Sequence, residues 1–327
     1  MTTNTSPPPE ISVVIPTHQR AERLSILLNR LRSQRLNADL FEVIVVDDCS
    51  TDDTEDVFHD LAPSLPFRAR LARTPSQQGP AGARNQGWRM AAAPLLAFID
   101  DDVNPAPGWL EAGLAALLSQ PGVGVLQGLT RMPPEDVPLK ARYGPPEWDH
   151  FHAIESATPF FQACNIFFRR EALEQTGGFD EEIGWWGEDT AAGWKTLAAG
   201  WDRAFAHDAM VSHPVERRGW RWFMRNGALE YNIIQLGAEY PEFRASAFWR
   251  PWAYRKEDAA FKVALVGVVL GLRFRPALVL ALPYIWWQRP SIRHLNFFRL
   301  CWQIPLVDGA RSIGQVRAAI DYRVLVI

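Results

Sequence analysis

Three short apolar runs, each ending in a polar or acidic loop, constrain this chain more than any other feature. Residues 11–15 are β-branched and give way to Pro16 and Thr17. Residues 41–46 end at Asp47 and Asp48, and residues 95–99 end at Asp100, Asp101 and Asp102. Apolar runs of this length bounded by polar residues read as buried strands. Between the first two, Leu24, Leu27, Leu28 and Leu31 have the spacing of an amphipathic helix within 21–35. Helices are also expected over 52–61 and 82–92, and a short strand over 67–71. Strands alternating with helices imply an α/β fold around a largely parallel, doubly wound sheet. Such sheets take ligands at the carboxyl ends of their strands, where the three polar loops stand.

Further along, helices are expected over 109–118 and 190–199, strand-like segments over 160–169 and 209–212, and a turn at Gly177–Asp180. Residues 131–158 are rich in Pro and aromatic residues with little periodicity, and a loop of that length in a compact domain is usually a functional lid or a mobile segment. Residues 1–10 are polar and proline-rich. They read as a disordered tail, and the absence of a basic region followed by an apolar run predicts no secretory signal. Cys49, Cys164 and Cys301 are odd in number and widely spaced. That argues against a disulfide framework or a zinc cluster and fits a reducing compartment.

The net charge of -3 hides an asymmetry. Residues 1–214 carry 17 Lys+Arg against 29 Asp+Glu, whereas residues 215–327 carry 17 against 8, together with 7 of the 14 tryptophans. An acidic body suits a metal-dependent site, and a basic, Trp-rich tail suits contact with an anionic surface. The shift near Val215 marks a domain boundary. Within the tail, residues 263–272 and 276–288 are charge-free and mostly apolar, separated by Arg273 and Arg275. Neither run reaches the roughly 18–20 apolar residues of a spanning helix. Two short apolar helices around a basic turn either pack on the catalytic domain or dip into one leaflet.

Carboxylates two residues apart beyond a strand, Asp100 and Asp102, suit a hard cation such as Mg²⁺ or Mn²⁺ that bridges to substrate phosphates. At the second strand end, a carboxylate can accept a hydrogen bond from a base N–H. Gly79–Gly87 is a small-residue loop leading into a helix. It permits close backbone approach, and Arg84 supplies a fixed cation for a diphosphate. Trp185, Trp186, Glu188 and Asp189 precede a helix. Exposed indoles stack on sugar faces, and a nearby carboxylate can take a proton from an attacking hydroxyl.

In this order and spacing the motifs resemble glycosyltransferase family 2, the inverting enzymes with the GT-A fold. The matching stretches are residues 13–17, 45–52, 79–87, 98–102, 177–180 and 187–189, spread over about residues 10 to 215. The resemblance implies a Rossmann-like GT-A catalytic domain over 11–214, with a nucleotide-sugar half to about 105 and an acceptor half beyond it. Residues 215–327 would then be a mostly helical extension. It implies that Pro16, Thr17 and Asp48 line the base pocket and that Arg84 sits near the base or diphosphate. Asp100 and Asp102 would be the DXD pair, with Asp102 the direct metal ligand, Asp100 and Asp101 would meet the nucleotide sugar, and Asp189 would be the general base. Trp185, Trp186 and Glu188 would face the acceptor, and His213 would turn toward the metal or diphosphate. Cys49 stands where the family often has Gly, and Lys195 where Arg is common. The expected partners are a nucleotide-diphosphate sugar, a glycan or lipid-linked acceptor and an anionic membrane surface, with no nucleic acid. The expected place of work is the cytoplasm or the inner face of the cell membrane. A nucleotidyltransferase shares the sheet and the acidic ligands, and a non-catalytic sugar-nucleotide-binding or glycan-binding protein shares the pocket.

Overall fold

The computed structural model describes residues 8–136, 149–150, 153–183, 185–288 and 297–326. Residues 1–7 of the expected tail and half of the expected lid, 137–148 with 151–152, lie outside the described residues. The chain divides into two compact units, Met1–Pro133 with His152–Pro214, and Pro134–Phe151 with Val215–Ile327. The charge reversal at Val215 falls at the same point.

In chain order the strands are β1 (Ile11–Thr17), β2 (Phe41–Asp47), β3 (Arg68–Arg73), β4 (Leu95–Ile99), β5 (Asn104–Pro105), β6 (Val123–Arg131), β7 (Asp149–His150), β8 (Asn165–Arg169), β9 (Asp202–Ser212) and β10 (Glu216–Arg217). The helices are α1 (Ala21–Leu31), α2 (Thr54–Leu61), α3 (Gly79–Met90), α4 (Trp109–Leu118), α5 (Arg170–Thr176), α6 (Glu188–Ala198), α7 (Trp220–Gly227), α8 (Glu230–Glu239), α9 (Pro241–Ala247), α10 (Lys256–Gly271), α11 (Leu282–Trp287) and α12 (Phe297–Asp321).

The first unit is built on one mixed sheet in the order β3-β2-β1-β4-β8-β6-β9-β5. β3, β2, β1 and β4 run parallel, as does β6 beside β9, while β8 is antiparallel to both its neighbours. Because β1, β2 and β4 are buried on both faces, they carry unbroken apolar runs rather than an alternating pattern. The α1 leucines Leu24, Leu27, Leu28 and Leu31 are fully or almost fully buried against this sheet. From β1 the chain proceeds outward to β2 and β3, then returns to place β4 on the other side of β1. That reversal of strand order opens a crevice beyond the carboxyl ends of β1 and β4. Thr17 and Asp101 meet there, with the Thr17 hydroxyl donating to Asp101 Oδ2 at 2.7 Å.

The expected helix over 82–92 begins three residues earlier, at Gly79. Pro80 in its first turn needs no N–H partner and presets the backbone. Gly79 itself has φ +77°, a conformation that favours glycine. β6 and α5 are elements that the apolar pattern does not announce. Gly124 and Gly128 interrupt β6 at its two register shifts, so the run reads as broken.

The second unit is mostly helical, with β7 and β10 forming a two-stranded antiparallel pair. Its interior holds a buried polar cluster. Arg255 pairs with Glu230 and Asp258, and Gln315 donates to both acids, to Asp258 at 2.8 Å and Glu230 at 2.6 Å. These contacts tie α8, α10 and α12 together. No helix among the described residues is long and apolar enough to cross a membrane.

Candidate active site

The acidic triplet beyond β4 splits into three environments. Asp101 is buried, and its oxygens are taken by Thr17 and by Arg20, whose Nη1 donates to Asp101 Oδ1 at 2.7 Å. Burial pushes the Asp101 carboxyl up to about 6 against the pull of Arg20. The same Arg20 nitrogen donates to Asp102 Oδ2 at 2.7 Å, and Arg23 stands 3.5 Å from that oxygen. The other oxygen, Asp102 Oδ1, is buried with no hydrogen-bond partner and lies 3.8 Å from His213 Nε2. His213 Nδ1 is 2.8 Å from the Pro214 carbonyl oxygen. A carbonyl only accepts, so Nδ1 carries the proton, and in a neutral ring the lone pair falls on Nε2, facing Asp102.

Arg20, which holds Asp101 and Asp102, is a residue of the candidate site that sequence reasoning passes over. The Pro-Thr-His-Gln-Arg loop carries no signal by itself, because its partners lie 81 and 82 positions away. Among the described residues, no cluster of three or more His, Cys, Asp or Glu is arranged to hold a metal by itself. The fit of a divalent cation rests on Asp102 Oδ1 and His213 Nε2, a hard oxygen and an imidazole nitrogen. The rest of its coordination would be left to substrate oxygens and water, which suits Mg²⁺ or Mn²⁺ bound with a phosphate-bearing substrate.

Three of the expected site residues have partners within the chain. Arg84 is 4% exposed and does not offer a free cation to a diphosphate. Its guanidinium donates to Glu188 Oε1 at 2.7 Å and to Asp100 Oδ1 at 2.9 Å, joining the end of β4 to the start of α6. Glu188, expected to face the acceptor, is the buried partner in that pair. Two opposite charges at such burial satisfy each other, since neither alone would be stable there. Asp48 also has a different partner from the expected base N–H. Its carboxylate accepts from the Gln78 and Gly79 amides, both at 2.8 Å, and from the Thr74 hydroxyl at 2.9 Å. It therefore caps α3 from the end of β2, where the helix dipole favours a negative charge. Pro16 is half-buried at the end of β1.

Asp189 sits in the first turn of α6, and the loop before β8 holds it. The Ala163 amide donates to Asp189 Oδ2 at 3.0 Å, and Thr190 exchanges hydrogen bonds with both backbone groups of Phe161. Burial, with Glu188 adding to it, pushes the Asp189 carboxyl up to about 7 despite Arg84. Through Arg84, Glu188 beside Asp189 is tied to Asp100 of the triplet. The buried Cys164 thiol is raised well above its usual range by burial, and Asp100, Asp189 and Asp102 all add to that rise. Trp185 is 61% exposed, and a Cβ on Gly79 would lie 3.6 Å from its indole nitrogen, which places the ring over the start of α3. Trp186 is half-buried. Lys195 pairs with Asp180 at 3.3 Å.

Cys49 has φ +62°, which explains why Gly suits this position. A left-handed backbone costs an L-residue about 1–2 kcal/mol, partly offset by glycine's extra freedom when unfolded. Cys49→Gly is expected to raise stability by about 0.5–1 kcal/mol. Cys49→Ala is expected to give no such gain. Chemical denaturation of the two variants beside the parent checks this.

An acidic pair with one open oxygen, an exposed indole and a carboxylate titrating near neutrality suit metal-assisted transfer to a hydroxyl. Comparison with known proteins supports the group transfer. The family described as Glycosyl transferase family 2 matches residues 12–177. Glycosyltransferase AglE of Haloferax volcanii is 30% identical over 66% of this chain and 70% of its own length. Validoxylamine A glucosyltransferase of Streptomyces hygroscopicus subsp. jinggangensis is 32% identical over 75% of this chain, which spans 64% of that relative. Among solved structures, the mannosyltransferase PcManGT of Pyrobaculum calidifontis, in complex with GDP-Man and Mn²⁺, shares the fold with a TM-score of 0.64. It is 23% identical, over 95% of this chain and 88% of that one. TarS 1-349 of S. aureus, in complex with UDP-GlcNAc, shares it with a TM-score of 0.54 at 19% identity, over 96% of this chain and 91% of that one. The Rossmann-like sheet is thus a GT-A fold, and the chain belongs to glycosyl transferase family 2 and is a glycosyltransferase.

Proposed function

We propose that this glycosyltransferase inverts the anomeric centre of a nucleotide-diphosphate sugar and delivers the sugar to a hydroxyl of a lipid-linked or other membrane-associated glycan precursor. The observation that carries the reading is the Arg84 bridge, which joins Asp100 beyond β4 to Glu188, the residue directly before Asp189, and so brings the acidic end of β4 and the start of α6 together. Asp102 and His213 would hold Mg²⁺ or Mn²⁺, which when bound neutralises the charge that gathers on the departing diphosphate. Pro16, Thr17 and Asp48, which caps α3, form the floor of the base pocket. Asp100 and Asp101, held by Arg84 and Arg20, fix the shape of the donor site rather than contributing open charge. Trp185 offers an exposed face to a sugar ring. Asp189 accepts the acceptor hydroxyl proton as that oxygen attacks the anomeric carbon. The bond from that carbon to the diphosphate oxygen breaks on the opposite side, with the electron pair leaving on the diphosphate.

A panel of nucleotide sugars, read by thermal unfolding with and without Mn²⁺, tests the donor assignment. A ligand at about 100 times its Kd stabilises by about 2.7 kcal/mol. One nucleotide sugar is expected to raise the midpoint in Mn²⁺ and to lose that effect in EDTA. Equal stabilisation by all members, or none by any, would remove the donor reading.

A further inference from the structure

The second unit carries a helical hairpin made of α10, the short 3₁₀ segment Arg275–Ala281 and α11. Its packing is inverted relative to a helix pair built for water. Ala264, Gly267 and Gly271 form the buried stripe of α10. A Cβ on Gly267 would come within 2.7 Å of Leu280 Cβ and 2.9 Å of the Ala277 carbonyl oxygen. One on Gly271 would come within 2.5 Å of Leu278 Cδ2. The two arms therefore approach through glycine spaced i, i+4. The large apolar residues point outward instead, with Leu265, Val266, Val269 and Leu270 between 51% and 59% exposed and Val263 and Val268 between 41% and 48%. At about 100° per residue these positions cover more than half of the helix circumference. A helix in water places polar residues on that side. Small residues between helices and large apolar residues outside them is the arrangement used where the surroundings are hydrocarbon, because close backbone packing then replaces the hydrophobic force.

We infer that this hairpin lies in the plane of one leaflet of an anionic membrane. The charges at its two ends determine the orientation. At the turn stand Arg273 and Arg275. At the base, Lys256 Nζ lies 3.9 Å from the centre of the Trp287 ring, and Trp286 is 64% exposed. The sixteen residues of α10 span about 24 Å, short of the roughly 30 Å hydrocarbon core. A hairpin plunging along the membrane normal would bury both arginines in hydrocarbon, which costs several kcal/mol each. Lying flat, it keeps Arg273, Arg275, Lys256 and the tryptophans at headgroup level while its apolar side meets the acyl chains. The lipid chemistry follows from charge. Residues 215–327 carry 17 Lys+Arg against 8 Asp+Glu, and α7 with its leading loop exposes Arg218, Arg221 and Arg225 beside Trp220 and Trp222. Aromatic residues interleaved with exposed arginines bind anionic headgroups.

This surface would serve the membrane-associated acceptor proposed above, yet it is read without turnover, so the two stand or fall separately. The test is flotation of the full chain with phosphatidylcholine vesicles, with and without phosphatidylglycerol, beside sedimentation without lipid. The chain is expected to float with the anionic vesicles. A double variant, Val266→Asp with Val269→Asp, is expected to partition about 100-fold more weakly at an unchanged unfolding midpoint, since both positions face outward. Ile26→Asp, an exposed apolar position in the first unit, is expected to float like the parent. Failure of the parent to float, or equal flotation of the double variant, overturns the inference. So does a lipid-free dimer that the double variant dissociates, for the face is then an interface between copies of the chain.

Discussion

Asp189→Asn is expected to lower sugar transfer by about 10²–10⁴-fold, the range supplied by a positioned general base, while leaving donor affinity nearly unchanged. The amide oxygen can accept one of the two backbone N–H groups, of Ala163 and Thr190, that the carboxylate accepts, and the amide takes no proton from the acceptor, so the loss in rate falls on the chemical step. The parent enzyme should show the base in its pH profile. With the carboxyl raised to about 7, kcat/KM should rise with pH through that value and level off above it. Stability separates chemistry from unfolding. The folded carboxyl titrates above its free value of 3.8, so the stability it contributes is fully present below that pH and is lost as pH rises through about 7. Asn removes that titration, so the variant's unfolding midpoint should change less with pH around neutrality than the parent's. Single-turnover transfer beside calorimetric donor binding checks the pair. Transfer at the parent rate would take Asp189 out of the mechanism.

Asp102→Ala should have a similarly large effect through a different step. It deletes the buried oxygen that has no hydrogen-bond partner and faces His213 Nε2. Changing groups that merely orient a metal ligand costs about 10–100-fold in affinity, so removing the ligand should cost more than about 100-fold. Arg20 is partly exposed and keeps Asp101, so the fold should lose little. Titration of a nucleoside diphosphate is expected to give the same weak binding for this variant in Mn²⁺ as for the parent in EDTA. A variant that still binds more tightly in Mn²⁺ would move the metal elsewhere.

The parallel half of the sheet is legible because β1, β2 and β4 are buried on both faces, and only β-branched and apolar residues satisfy that environment. The loops that border the crevice are legible for the same reason, since a loop after such a strand must lie at its carboxyl end. Their individual partners are not. Arg84 looks like an open cation until burial shows it spanning Glu188 and Asp100. Asp48 looks like a base-binding carboxylate until α3 places two amides on it. Arg20 is not legible, because its meaning depends on residues brought near by the crossover from β1 to β4. Spacing reports which groups share an edge of the sheet. Which lone pair stays open depends on tertiary packing and on charge balance. The left-handed backbone at Cys49 was hidden in the same way, because cysteine is not a residue that announces a positive φ.

The central claim is inverting, metal-dependent transfer with Asp189 as the base. The most direct measurement is proton NMR of the first product formed from the nucleotide sugar that stabilises the enzyme, in the presence of Mn²⁺ and a hydroxyl acceptor. The account predicts a glycoside of opposite anomeric configuration to the donor, formed by the parent and not by Asp189→Asn or in EDTA. A product that retains the donor configuration, or equal turnover by Asp189→Asn, would contradict it.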